Sequence, residues 1–247
     1  LWLAADSNLM LNSGNVVEWR DLSAFGNDAI QTDATRQPLL VNALNNRAVS
    51  FDGNNDFLQA VLSDTISQPN TVIALWKTNQ GGLRVLLSAG GPNPGVVTDI
   101  NSGNNVRISG GLSYTKPSPF DFIINSIYFN GATSSIYENG LIKASGNSVE
   151  RNATSLFIGS LTGTSRFFNG ELAELIIIDT VISIQERIQI EQYLRYKYAP
   201  PVNLGPDITI DYGYCDTSLS AQKDWFKSYL WNTGDTTSSI QFNKSGT

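Results

Sequence analysis

The stretch Gly170-Glu-Leu-Ala-Glu-Leu-Ile-Ile-Ile-Asp-Thr-Val-Ile-Ser-Ile-Gln-Glu-Arg-Ile-Gln-Ile-Glu-Gln-Tyr-Leu-Arg-Tyr-Lys-Tyr198 reads as a strand, a turn and a helix in immediate succession. Leu172 to Ile178 is apolar enough for a strand covered on both faces. Ser183 and Glu186 form an S-x-x-E capping box, in which each side chain satisfies an orphan backbone donor. Ala199, Pro200 and Pro201 follow, and proline cannot continue a helix. A β domain therefore closes at this point and a separate segment begins. Within the helix, Ile190, Tyr193, Leu194 and Tyr198 share a face, while Arg187, Glu191 and Arg195 form an i,i+4 charge ladder. The expected place for such a helix is the rim of the β domain.

Upstream, short apolar runs alternate with turn signals. Gly14-Asn15, Gly26-Asn27, Gly53-Asn54, Gly81-Gly82, Gly90-Gly91, Gly110-Gly111 and Asn139-Gly140 punctuate the chain. Asn139-Gly140 is the clearest hairpin turn, flanked by Ser135-Ile136-Tyr137 and Leu141-Ile142-Lys143. Further strands are expected at Ala48–Phe51, Thr71–Lys77, Arg84–Ser88, Val106–Gly110, Phe122–Asn130 and Ser155–Ile158. Many strands and one helix define an all-β protein, a two-sheet antiparallel jelly-roll sandwich with one short C-terminal helix. Residues 1–199 form this domain and 200–205 a stiff Pro-rich linker. Residues 206–247 read as part of an Ig-like β module, with strands at Asp207–Asp211 and Ser238–Phe242 and a central strand Tyr229-Leu230-Trp231 with a buried Trp. They are fewer than the roughly 100 residues of a complete Ig-like sandwich.

Composition narrows the chemistry. Of 247 residues, 41% are hydrophobic and only 15% charged, so Asn, Ser, Thr and Gly supply much of the surface. The net charge is −6 and no basic cluster interleaves with aromatics, which argues against nucleic acid. No apolar run reaches the length of a membrane span, so membrane insertion is not expected. The chain has no histidine, which removes Ser-His-Asp and Cys-His catalysis and ordinary zinc sites. The single cysteine, Cys215, allows no internal disulfide. The chain opens at Leu1 on an apolar strand without a signal peptide, as expected of a mature or excised piece.

Five stretches in order, Leu1-Trp-Leu-Ala-Ala-Asp6, Val17-Glu-Trp-Arg-Asp-Leu-Ser23, Gly26-Asn-Asp-Ala29, Phe51-Asp-Gly-Asn-Asn-Asp-Phe-Leu58 and Gly170–Tyr198, span about 200 residues. Together they resemble the laminin-G-like, concanavalin A-like jelly-roll domains of bacterial secreted proteins. The tail, with Val202-Asn-Leu-Gly-Pro-Asp207 and Tyr229-Leu-Trp-Asn-Thr-Gly-Asp-Thr-Thr237, resembles Ig-like or PKD-like modules of Bacteroidetes surface proteins. The resemblance implies two stacked antiparallel sheets, frequent calcium, and carbohydrate or surface binding. It also implies a secreted or cell-surface location, often by type IX secretion, with gliding or adhesion roles.

Candidate sites follow from side-chain chemistry. Calcium takes six to eight oxygens, and Asp52-Gly-Asn54-Asn55-Asp56 offers several in one Gly turn, with Asp6 joining Asp52, Asn54 and Asp56 as a candidate ligand. Asp21 and Asp28 lie in segments that the resemblance places near Asp6. Asn, Asp and Gly are equally the ordinary chemistry of turns. Sugar binding calls for exposed aromatics and planar polar groups. The loop candidates are Asn79, Arg84, Tyr114, Phe120, Arg166 and Phe168, whereas Trp2, Trp19 and Trp76 are expected in the core. Glucanases of the fold that the resemblance names share an E-x-D-x-x-E strand motif. Here the nearest match is Glu171-Leu-Ala-Glu174, with no middle Asp and, by strand alternation, opposite-facing carboxylates. Asn152-Ala-Thr154 and Asn243-Lys-Ser245 match the glycosylation pattern by chance. The expected role is non-catalytic recognition of a glycan or cell-surface ligand within a multidomain adhesin, beside neighbouring domains of the same polypeptide. The alternatives are a polysaccharide-degrading enzyme and a structural spacer.

Overall fold

The computed structural model describes residues 1–89, 98–100, 105–108, 111–116, 121–149, 152–205 and 217–242. Two antiparallel layers face each other across one core. Numbered along the chain, the first layer runs β5 (Leu39–Ala43), β6 (Asn46–Asp52), β17 (Asn169–Ile178), β8 (Asn70–Thr78), β13 (Ile123–Phe129), β14 (Ser134–Glu138), β15 (Leu141–Gly146). β1 (Trp2–Ala4) continues the edge of β17 beyond β6. The second layer runs β2 (Leu9–Asn12), β3 (Asn15–Trp19), β4 (Ala29–Ile30), β7 (Leu58–Ile66), β16 (Ala153–Ile158), β9 (Arg84–Ala89), β10 (Thr98–Ile100), β11 (Asn105–Ile108), β12 (Ser113–Thr115). Asn15 of β3 pairs with Leu39 of β5 and joins the layers at one corner. Both outlying hairpin strands are where turn chemistry puts them. Asn139 and Gly140 adopt φ 52° and 89°, and Glu138 pairs with Leu141 across them.

The inter-layer core contains Leu3, Trp19, Phe51, Leu58, Trp76, Leu87, Phe129, Phe168 and Leu172, all essentially without solvent exposure. Burying that many large apolar groups drives the layers together at about 25 cal/mol per Å². β8 and β17 are central and are buried on both faces, which explains their continuous apolar runs. The outer face of the first layer is covered by α1 (Ile184–Tyr198), so we call it the helix-side sheet and the second layer the open sheet. The helix is not on the rim. Leu194 and Tyr198 pack on Ile73, Leu75, Ile124, Tyr128 and Ala173, making a second apolar cluster.

The capping box forms as read: Ser183 Oγ accepts from Glu186 N at 3.2 Å, and Glu186 Oε2 accepts from Ser183 N at 2.8 Å. The helix faces differ from the expected ones. Arg187 and Glu191 are buried with Leu194 and Tyr198, while Tyr193 is partly exposed. Arg187 Nη1 donates to Glu191 Oε1 at 2.5 Å, Ser126 Oγ donates to the same oxygen at 2.8 Å, and the guanidinium lies 4.0 Å from the Tyr137 ring centroid. An ion pair satisfied on several sides has replaced part of the expected apolar stripe.

Past the helix, β18 (Thr217–Ser220) pairs with β19 (Ser239–Phe242). The expected strand at Tyr229–Trp231 is not one. Trp231 stands in a turn region, half-buried, with Nε1 donating to Thr237 O at 2.8 Å. Asp207–Asp211 lies outside the described residues, as do Ser109 and Gly110, the last two residues of the strand expected at Val106–Gly110.

Candidate functional site

At the end of the sandwich where β6 finishes, three loops meet: 53–57, 79–83 and 159–168. Arg84 holds them. Its Nη1 donates to Gly53 O at 2.7 Å and Phe167 O at 3.0 Å, and its Nη2 donates to Gln80 Oε1 at 2.9 Å. Asn169 Nδ2 donates to Asp52 O at 2.9 Å, and Asn79 N donates to Asn169 O at 2.9 Å. Gly53, at φ 79°, must be glycine, since a Cβ there would stand 2.7 Å from Asn169 Cβ. Val85 N donates to Arg166 O at 3.0 Å, which ties the tip of the last loop to β9. Arg166 itself is exposed and left-handed, at φ 55°, a conformation uncommon outside glycine and asparagine.

A second guanidinium braces this crown from the other side. Arg36 donates to Gly163 O and lies 4.6 Å from the Phe57 ring centroid and 6.0 Å from that of Phe167. Phe57 in turn packs on Phe157 at 5.9 Å. Beside the crown, on the outer face of the open sheet, runs a groove of about 460 Å³ that shares Phe57 with it. Ile30 and Val61 give it an exposed aliphatic floor, and Asp28, Gln31 and Gln59 give it polar edges. Gln31 is locked in place, its Nε2 donating to Phe57 O and its Oε1 accepting from Asp33 N.

Of the residues expected in a sugar site, Asn79, Arg84 and Arg166 come together here. Phe168 does not join them at the surface. It is fully buried beneath the crown, edge-on to Phe51 and Trp76 at 6.1 and 6.0 Å: it directly precedes β17 and its backbone N–H donates to Gly159 O, whereas its neighbour Phe167 is half-buried. Tyr114 is also a core residue. Its OH donates to Glu138 Oε2 at 2.7 Å and accepts from Asn125 Nδ2 at 2.9 Å, and burial holds its pKa far above the usual tyrosine value. Phe120 lies outside the described residues. Trp19 and Trp76 are core as expected, but Trp2 is 37% exposed, its Nε1 donating to Glu174 Oε1 at 2.6 Å.

The candidate calcium ligands are split. Asp52, Asn54 and Asp56 share one turn, but Asp6 is elsewhere. Asp6 pairs with Lys197 Nζ at 2.8 Å and accepts from Asn46 Nδ2 at 2.9 Å. Asn46 and Asp52 are the two ends of β6, roughly 20 Å apart at strand rise. Within the turn, Asp52 Oδ1 accepts from the backbone N–H groups of Asn54, Asn55 and Asp56, and Oδ2 from Asn54 Nδ2. Burial pushes against the charge of Asp52, but these donors prevail and hold its pKa low. Burial, with the nearby Asp52 charge, pushes Asp56 up to about 6. Asp21 and Asp28 likewise build a loop: Asp21 accepts from Trp2 N, Ser23 N and Asn27 N, and Asp28 Oδ1 accepts from Asp21 N. Among the described residues no three Asp, Glu, Cys or His side chains group as metal ligands.

Glu171 and Glu174 face the same way, contrary to simple alternation. A register shift between Leu172 and Glu174 inserts Ala173, so Leu172 and Leu175 enter the core while Glu171, Ala173 and Glu174 point to the helix side. They do not form a pair. Glu171 binds Lys77 at 2.9 Å, whereas Glu174 is fully buried under α1 with Trp2, Lys197 and Tyr198. Burial works against the Lys197 charge, yet Asp6, Tyr193 and Glu174 outweigh it and hold its pKa high.

Sequence reasoning missed Arg36, Phe57, Gln80 and the groove. The available signal was in Leu58-Gln-Ala-Val-Leu62, where alternation sends Gln59 and Val61 outward from a strand whose other face is core.

No family model and no curated protein sequence matches this chain. Solved structures do match. Trypanosoma rangeli sialidase in complex with sialic acid aligns with a TM-score of 0.58 at 13% identity, over 80% of this chain and 33% of that one. The binding domain of botulinum neurotoxin serotype D aligns at 0.58 and 14%, over 78% and 51%. The same toxin domain in complex with N-acetylneuraminic acid aligns at 0.56 and 13%, over 74% and 52%. The chain thus spans between a third and about half of the length of these structures. At such identities the likeness is one of fold, and it defines the chain as a β-sandwich.

Proposed function

We propose that this chain is a carbohydrate-binding β-sandwich domain whose ligand lies on the crown and in the adjoining groove. The observation that carries the reading is the convergence of Asn79, Gln80, Arg84 and Asn169 at one end of the sandwich, beside a groove floored by Ile30 and Val61. Planar polar groups meet sugar hydroxyls, and the aliphatic floor meets the apolar face of a pyranose ring. That two of the similar structures hold sialic acid or N-acetylneuraminic acid supports the class of ligand. A role within a secreted or cell-surface adhesin, without catalysis, accords with the sparse charge of the chain and its lack of histidine. The calcium site we propose is the Asp52–Asp56 turn that borders the crown.

A glycan array run with calcium and with EDTA tests the reading. The parent chain is expected to bind a subset of glycans, and Asn79→Ala together with Gln80→Ala to weaken that binding by about tenfold or more, at the 1–2 kcal/mol of a lost ligand hydrogen bond. Absence of binding in both conditions would move the chain to a spacer role, and turnover of a polysaccharide would refute non-catalytic recognition.

A further inference from the structure

The crown holds three guanidinium groups, and two of them are engaged by the fold. Arg84 donates to Gly53 O, Phe167 O and Gln80 Oε1, and Arg36 donates to Gly163 O while lying over the Phe57 ring. Arg166 differs. It is exposed, and among the described residues its side chain makes no hydrogen bond, ion pair or ring contact. Its backbone is nevertheless fixed on every side. Val85 N donates to Arg166 O, Leu161 N donates to Ser165 O, and Arg84 Nη1 donates to Phe167 O, each at 3.0 Å. These bonds hold Arg166 at φ 55°, a left-handed conformation that a side chain with a β-carbon adopts under strain. A loop that needed only the turn would be better served by glycine, as at Gly163 of the same loop, where φ is 72°. The strain therefore falls on the one crown arginine whose side chain the fold does not use, and strain kept at such a position is a mark of function.

The neighbouring groups define the complement. Asn79 and Gln80 are exposed, and among the described residues neither carboxamide nitrogen donates to the protein. Asp52 gives its oxygens to the N–H groups of its own turn, and Asp56 is buried. The crown thus presents free donors, one set of them charged, while its carboxylates are engaged or covered. We infer that the glycan read by the crown is acidic, a saccharide bearing a carboxylate or a sulfate, and that Arg166 is the residue that selects it. The assignment rests on the crown as the glycan site. A guanidinium presents parallel N–H donors that match two oxygens of either anion, a geometry that neutral hydroxyls do not supply. The anion takes the place of the partner that the fold withholds from Arg166. Asn79 and Gln80 are left for the hydroxyl oxygens of the same sugar.

Matched glycan pairs test this. The 247-residue chain and its variants are titrated against sugar-acid glycans and their carboxyl-reduced forms, and against sulfated glycans and their desulfated forms. The parent chain is expected to bind the charged member of one pair type about tenfold or more tightly than its neutral counterpart, as a charged hydrogen-bonded pair implies. Which pair type shows the preference tells carboxylate from sulfate. Arg166→Gly should remove the preference, and so should Arg166→Asn, since both residues accept a left-handed backbone and neither carries charge. The melting temperature of Arg166→Gly should not fall, because glycine adopts φ 55° without strain. Equal binding of charged and neutral members by the parent would overturn the inference and leave the crown as a site for neutral glycans. A preference that survives both substitutions would overturn it too. So would an Arg166→Gly chain melting more than about 4 °C below the parent, since the side chain would then support the loop. Binding of no glycan of any kind would overturn both this inference and the crown as a glycan site.

Discussion

Asp56 shows how a turn residue can carry a pH dependence. Its carboxyl is buried beside Asp52, and its folded-state pKa is raised to about 6, above the value near 4 of an unfolded aspartate. The folded protein therefore holds that proton more tightly, and stability falls as pH rises from about 4 to about 6, levelling off above. Asp56→Asn keeps an acceptor for Asp52 N and removes the charge. It is expected to exceed the parent in stability at pH 8 by on the order of 1 kcal/mol and to match it near pH 4. Urea midpoints at the two pH values decide the matter, and an offset unchanged by pH would contradict it. Residue identity was only a partial guide to such sites. The Asp52–Asp56 turn was legible, but its oxygens go to its own backbone N–H groups, and only folding shows Asp6 at the far end of β6. Phe168 was likewise a candidate for the surface until its packing on Phe51 and Trp76 placed it in the core.

At the scale of elements, local chemistry was read well and burial less well. The capping box and the Asn139-Gly140 hairpin formed as their residues dictate, because each is complete within a few positions. The facing of α1 and of Glu174 was misread because both depend on partners far along the chain. A hydrophobicity pattern cannot register an ion pair buried within one helix turn, nor a bulge that adds one residue to β17. The buried pair makes a clear prediction. Glu191→Ala strands the Arg187 guanidinium and is expected to cost about 3–5 kcal/mol. Arg187→Met with Glu191→Leu should lie within about 1–2 kcal/mol of the parent, or above it. Chemical denaturation of both variants checks this, and equal losses in the two would show that the charges themselves, not their pairing, support the helix.

For the molecule as a whole, the sandwich was legible from strand count, turn spacing and the single capped helix. The layer assignment was not, because it rests on pairings such as β1 with β17 across more than 170 residues. The proposed boundary at residues 200–205 has its own test. This segment is exposed from Pro201 to Gly205, and among the described residues few contacts cross from the tail, chiefly Trp225 Nε1 to Pro200 O and Lys227 to Asp121. Limited proteolysis is expected to cut there and leave a fragment ending near residue 199 that melts like the parent. A fragment that unfolds on cleavage would show that the tail is part of the same cooperative unit. The position of β17 has a consequence for how the chain comes into being. This strand is bordered by β1, β6 and β8, so the helix-side sheet has no centre until Ile178 has been made. A nascent chain must hold β1 and one edge each of β6 and β8 unpaired through most of synthesis, and contacts of such long separation form slowly. Truncations upstream of Ile178 should therefore yield aggregating chains, not smaller folded domains, and completion of the fold should coincide with release of a single late strand.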